Sequence, residues 1–347
     1  MLAPLRDYLC PKEPKSSPLL CATKECYFSR LSVGIYPGKP GFEETRWITS
    51  EDTNIEHLLD VFTAIDGNSR NVWDVCSYFM EHLRWHKRRP VVLGSKIEGL
   101  SDNHPSKLRC SYELSMLFRA DGRFVECKSL LTHTLNHCRQ PGDHFGVVRA
   151  LRSLSNANRP LSFHEEGIQQ GKEVLKICEE LNNVFQLAHC FRSLAWSLQG
   201  DNQLDAAEEA ASRAIHLLPE ARFLVSQCHD ILGDICRRKG EVEKAIEHFE
   251  VALAIASSFN WHDQQFWIYH SLALLFVEQS KFDDAQAHGE RTRSHAAHTY
   301  LRGRAMHLQA LVWGGQCRLE EAKSEALQAA DLYEKIGATR NLEMCRD

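Results

Sequence analysis

The 347-residue chain carries 41 Lys and Arg against 46 Asp and Glu, a formal net charge of -5, with 43% hydrophobic and 25% charged residues. That balance argues against a general nucleic-acid binder, which carries a basic excess. No stretch approaches the roughly 18 apolar residues of a membrane span, and the N-terminus lacks a basic region leading into an apolar run and a cleavage site; no membrane contact and a cytoplasmic location are expected.

Residues 1–50 hold six prolines (Pro4, Pro11, Pro14, Pro18, Pro37, Pro40) and show no sustained period, so irregular chain is expected there. Within 51–107, NIEHLLDVFTAIDG and NVWDVCSYFMEHLRWH place apolar residues at helical spacing. They predict a helix pair that caps the helices C-terminal to it, since a terminal repeat must cover an open hydrophobic face.

From 108 to 347 the chain repeats itself. Residues 226–257, SQCHDILGDICRRKGEVEKAIEHFEVALAIAS, read as an amphipathic helix, a turn at Gly240 and a second amphipathic helix. The anchor Leu232 recurs as Leu114, Leu154, Leu194 and Leu272, with Gln309 beside Leu308 in the sixth unit, at separations of 40, 40, 38, 40 and 37 residues. The next residue is Ser115, Ser155, Ala195, Gly233, Ala273 or Ala310, and the position thirteen beyond the anchor is Cys127, Gly167, Ala207, Ala245, Ala285 or Ala322. All are small, as a close helix crossing requires. Phe118, Leu198, Phe276 and Trp313 lie three beyond the first small site and are expected to fill the space between helices; Cys236 is a smaller filler, and Asn158 breaks the pattern. Pro160 should end the first helix of the second unit early.

These anchors resemble the tetratricopeptide repeat, most fully as Phe191, Leu194, Ala195, Leu198, Ala207, Ala214 and Pro219. The resemblance implies an all-α, right-handed superhelical solenoid of antiparallel helix pairs. Six units of about 40 residues, longer than the usual repeat, would come after the N-terminal helical cap. Several phrases also resemble the C-terminal sensor half of fungal STAND/NACHT-type NOD-like receptors: PLRDYL, HLLDVFTAID, WDVCSYFMEHLRWH, QLDAAEEAASRAIHLLPE and RLEEAKSEALQAADLYEKIGA. A nucleotide switch needs a Gly-rich loop with Lys and then Ser or Thr. GIYPGK at 34–39 is one residue short between its glycines and is followed by Pro40. The resemblance therefore implies a sensor arm lacking its nucleotide-binding module, a non-catalytic interaction scaffold.

The competing reading is a helical hydrolase or metal enzyme using surface histidines. His82 with His86 and His133 with His137 stand at i, i+4, and His295 with His298 at i, i+3, spacings that share a helix face. None carries the H-E-x-x-H glutamate, and there is no G-x-S-x-G elbow. The thirteen cysteines include no C-x-x-C, and many fall at apolar helix positions, as reduced small hydrophobes do. Neither metal, cofactor nor catalytic residue is expected.

In a tetratricopeptide array the first helices line the concave face. The positions there that are neither anchor nor core are Arg109, Tyr112, Arg119, Arg149, Arg152, Asn156, Arg159, His189, Arg192, Trp196, Asp234, Arg237, Trp267, His270, Arg304 and His307. Arginine outnumbers acid in this set. The expected partner is a protein or peptide, acidic or presenting a C-terminal carboxylate, with Trp196 and Trp267 as flat anchors; self-association through an uncapped end is a further expectation.

Overall fold

The computed structural model describes residues 52–345, except 68, 86–91, 102, 103, 105, 121, 141, 159, 160 and 162. The expectation of irregular chain over 1–50 lies outside the described residues. Among those described there are sixteen α-helices and no strand. The chain divides into two compact units, with the boundary between Ala120 and Asp121.

The first unit holds α1 (Asp52–Ile65), α2 (Arg70–Trp85), α3 (Leu93–Glu98) and α4 (Lys107–Ala120). Ile55, Leu58, Leu59 and Phe62 of α1 and Val72, Cys76, Phe79, Met80 and Leu83 of α2 are buried, at the spacing that predicted both helices. The short α3 has no sequence period of its own and is held from outside. Glu56 accepts from the Val92 and Leu93 N–H groups at its start, at 2.7 and 3.1 Å. The Lys107 ammonium donates to the carbonyls of Ile97, Glu98 and Leu100 at its end, each at 2.9 Å. An anion at one end and a cation at the other satisfy the backbone groups a helix leaves open.

The second unit runs through α5 (Phe124–Arg139), α6 (His144–Asn158), α7 (His164–Glu180), α8 (Val184–Gly200), α9 (Leu204–Leu217) and α10 (Arg222–Arg238). It continues through α11 (Val242–Ser258), α12 (His262–Glu278), α13 (Phe282–Ser294), α14 (Thr299–Gly315), α15 (Leu319–Lys335) and α16 (Thr339–Met344). The second helices of the repeats are α5, α7, α9, α11, α13 and α15, and they open at the same succession of intervals as the Leu anchors. The fold is thus the tetratricopeptide-like solenoid of antiparallel helix pairs that the anchors predict. Eleven of the twelve small anchors are buried, Ala322 alone being half-buried. Their size is demanded by what they face: a Cβ added at Gly233 would stand 2.6 Å from the Phe249 ring. α6 stops at Asn158, ahead of Pro160. Asn158 is buried and donates to Gln170 Oε1 at 3.1 Å, which gives a polar side chain at a core position its partner.

Nine of the turns share one device. Gly122, Gly142, Asn182, Asn202, Gly240, Asn260, Ser280, Cys317 and Gly337 all have positive φ. A left-handed residue there turns the chain so that late N–H groups reach the last carbonyls of the helix, as Gln203 N–H does to Leu198 O at 2.9 Å. From α6 onward each first helix packs on the first helix of the next unit, α6 on α8, α8 on α10, α10 on α12 and α12 on α14, whereas successive second helices make at most marginal contact. The first helices are therefore the inner, more closely spaced layer of a curved stack.

Candidate functional site

On that inner layer a cavity of about 300 Å³ is lined mainly by α8, α10, α12 and α14, with His164 of α7 and Asn341 and Met344 of α16 also contributing. Its side chains follow helical stripes: Trp196 and Gln199 on α8; Asp230, Asp234 and Arg237 on α10; Trp267, His270 and Leu274 on α12; Tyr300 and Arg304 on α14. The contributing positions move from the C-terminal half of α8 to the first turns of α14, so the cavity crosses the first helices obliquely.

The charges in it are not equivalent. Asp234 is the centre of a closed network. Its Oδ1 accepts from Arg237 Nε and Nη2 at 2.9 and 2.6 Å, and its Oδ2 accepts from Arg238 Nε at 2.9 Å and from Gln199 Nε2 at 2.5 Å. Arg237 also bonds Glu278 of α12, and Arg238 reaches the Gln199 carbonyl at 3.0 Å. Burial works against the Arg237 charge, and Asp234 with Glu278 more than offsets it, so its pKa rises further. This lattice ties α8, α10 and α12 together. Asp230, one turn earlier, accepts from Gln264 Nε2 of α12 at 3.3 Å.

Arg304 stands differently. Its guanidinium lies 5.7 Å from the Trp267 ring centroid, and its Nε is buried with no hydrogen-bond partner. No carboxylate pairs with it among the described residues. Trp267 is flanked in turn by Tyr300 at 6.3 Å and His270 at 6.1 Å, so one end of the cavity is an aromatic wall carrying an unpaired cation.

Of the groove residues expected from sequence, Trp196, Asp234, Arg237, Trp267, His270 and Arg304 meet at this cavity. The other described members of that set do not line it. Arg109 and Tyr112 belong to α4 of the first unit, where Arg109 lies 4.3 Å from the Tyr78 ring and 3.4 Å from Asp74 and Tyr112 is buried. Arg119, also on α4, is half-buried. Arg152 of α6 donates to Gln186 at 2.7 Å on the next first helix, while Arg149 and Asn156 are half-buried on α6. Arg192 is buried over the Trp196 ring at 4.9 Å, bonded to Ser193, so it supports a lining residue from behind. His189 is half-buried and His307 buried. Burial first, then Arg192 and Arg152, lowers His189 to about 3; burial first, then Arg304, lowers His307 to about 4. Both are neutral packing groups near pH 7. Arg159 lies outside the described residues.

Sequence reasoning missed Gln199, Asp230, Arg238, Tyr300, His164, Asn341 and Met344. The signal for Asp230 was its i, i+4, i+7 alignment with Asp234 and Arg237 on one face of α10. The histidine pairs assemble nothing comparable. The His133 and His137 rings stand 4.9 Å apart, His295 stacks on Tyr269 and His262, and His86 lies outside the described residues. Among the described residues no group of three His, Cys, Asp or Glu side chains could hold a metal ion, and no helix is long and apolar enough to cross a membrane. None of the ten described cysteines is in a disulfide, and eight of them are buried. Burial pushes Cys110 and Cys228 up to about 12, away from nucleophilic chemistry.

Residues 227–297 match the tetratricopeptide repeat family model. No curated protein matches the chain. Among solved structures it is similar to a Rap protein complexed with Competence and Sporulation Factor, at 13% identity and TM-score 0.59 over 96% of each chain. It is also similar to NprR in complex with its cognate peptide NprX, at 12% identity and TM-score 0.60, over 93% of this chain and 98% of that one. A third is the APC/C Cut9–Hcn1 hetero-tetramer, at 14% identity and TM-score 0.53, over 98% of this chain and 58% of that one. At such identities the likeness is one of fold, and the fold is that of a tetratricopeptide-like helical repeat scaffold.

Proposed function

We propose that this chain is a non-catalytic scaffold that binds a peptide, or an extended segment of a partner protein, in the inner cavity of its second unit. The observation that carries the reading is the oblique line of Trp196, Trp267, His270 and Arg304 across successive first helices. Flat aromatic rings supply contact area at low entropic cost, and a cation fixes the register of a segment laid over them. A cavity of about 300 Å³ suits a short stretch of chain held by a few side chains. Two proteins of like fold were solved as complexes, one with Competence and Sporulation Factor and one with its cognate peptide NprX, which supports a peptide-binding use of the fold here. The resemblance of several phrases to STAND-type sensor halves motivates a sensing role for the bound state, and an acidic ligand fits the arginine bias.

The test is a selection from a displayed random-peptide library on the whole chain. The reading requires peptides that bind the wild type and are lost on the Trp196→Ala, Trp267→Ala double variant. A library yielding no binder, or binders indifferent to both tryptophans, removes the cavity as the site.

A further inference from the structure

The cavity's three guanidinium groups divide into two kinds. Arg237 and Arg238 both donate to Asp234, and Arg237 reaches Glu278 in addition. A ligand carboxylate approaching them would compete with carboxylates already in place, inside a network that also ties Gln199 of α8 to α10. Arg304 has neither a carboxylate nor a hydrogen bond among the described residues, and its Nε is buried. A buried guanidinium donor left without an acceptor is costly, and the side chains set beside it at this end carry no charge. Trp267 presents a ring face, Tyr300 an aromatic wall, and His307 is held neutral near pH 7. The Tyr333 hydroxyl, also buried without a partner, lies within the field of Arg304. Among the described residues Arg304 is therefore the one guanidinium of this cavity with no carboxylate bonded to it, the remaining carboxylate of the lining, Asp230, being bonded to Gln264.

We propose that Arg304 anchors a carboxylate of the bound peptide against the Trp267 face, while Arg237 and Arg238 are wall residues that take no part in recognition. This rests on the peptide-binding reading above and narrows it to a ligand with an acid at one defined position. The planar guanidinium suits a two-oxygen acceptor, and the flanking aromatic rings suit an apolar residue beside that acid. The carboxylate has two sources, an Asp or Glu side chain or the peptide's own C-terminus.

Three hexapeptide pools separate these sources: acid-free sequences with a free C-terminal carboxylate, amidated sequences with one internal Glu, and amidated acid-free sequences. Each is titrated by fluorescence anisotropy against the wild type, Arg304→Gln, Arg304→Lys and Arg238→Gln. The expected result is binding of the first or the second pool, which names the source, and at least about tenfold weaker binding of the third. Arg304→Gln should bring the favoured pool down to the level of the third. Arg304→Lys, keeping the charge without the fork, should recover part of the loss, and Arg238→Gln should leave affinity within about twofold. Circular dichroism melting of each variant separates lost recognition from lost fold. Binding of the acid-free amidated pool equal to the others, or indifference to Arg304→Gln, overturns the anchor while leaving peptide binding intact. Failure of all three pools on the wild type overturns both.

Discussion

The Phe124 ring meets the Tyr300 ring edge-on, with centroids 4.9 Å apart and planes at 84°. Phe124 opens α5, the second helix of the first repeat, and Tyr300 sits in the first turn of α14, the first helix of the sixth. In a solenoid each repeat ordinarily touches only its neighbours; here the two ends of the second unit share one apolar cluster with Phe266, Leu301, Tyr333 and Ala338. The approach is close enough that Gly122, at φ +80°, would place an added Cβ 3.0 Å from Tyr300 Cβ. Because Tyr300 also lines the cavity, the closure and the binding face share a side chain.

Phe124→Ala should therefore cost about 3 to 5 kcal/mol, as deletion of a buried phenyl ring does. It should also loosen a helix remote in sequence. Hydrogen exchange is the decisive measurement: amides at the start of α14 should lose protection along with those of α5. A loss confined to α5 and α6 would show that the contact ties nothing.

Gly233 tests the helix crossing. Alanine is favoured over glycine in a helix by about 1 kcal/mol, yet at this position the new methyl group would meet the Phe249 ring at 2.6 Å. Gly233→Ala is expected to destabilise by about 1 to 3 kcal/mol, against its propensity. In combination with Phe249→Leu, the Gly233→Ala cost should shrink, because the two side chains occupy one space. Urea midpoints for the four proteins of the cycle check this; strictly additive effects would place the two groups out of contact.

The small anchors were legible because the size limit at a crossing is local to each pair and repeats with it. Ser115 through Ala310 announce the register in the sequence itself. The helix ends were legible for the same reason, α6 stopping before Pro160. The short α3 was not, since Glu56 and Lys107 hold it from other helices. Within the candidate site, Trp196, Trp267 and Arg304 could be read from their place on first helices. The burial of Arg192 and His307 could not, because it depends on how closely the next first helix approaches. The closure of Phe124 on Tyr300 depends on curvature summed over several repeats, which no single repeat encodes.

The division between wall and anchor has its own stability signature. Arg237 and Asp234 side chains are only 10% and 13% exposed, so Asp234→Ala leaves an enclosed guanidinium with Glu278 as its remaining carboxylate. A cost of about 3 to 5 kcal/mol is expected, as when one partner of a buried pair is removed. Arg304→Gln removes a cation with no partner to strand, and should be neutral to within about 1 kcal/mol or stabilising. Thermal unfolding of both variants at pH 7.5 makes the comparison, and equal losses would mean that Arg304 is as much a structural group as Asp234.

Stability should also fall with acid in a window set by the buried and half-buried histidines. Burial is the leading cause for each: His307 is lowered to about 4 and His189 to about 3, and His229, His248 and His288 move the same way. In the unfolded chain a histidine titrates near 6.5. Above that pH both states are neutral and stability is complete. Below it the unfolded chain takes up protons that the native interior refuses, so stability drops by up to about 1.4 kcal/mol per pH unit for each such histidine. The loss from any one histidine stops as pH falls through its native value. Asp205, Glu241 and Glu321, whose pKa values are lowered by Lys239, Lys244 and Arg318, lose their pairing only at lower pH; the fall between pH 6.5 and 4.5 therefore belongs to the histidines. Urea unfolding across that range should show a shallower slope for His189→Gln, His307→Gln than for the wild type, and parallel slopes would assign the acid sensitivity to other groups.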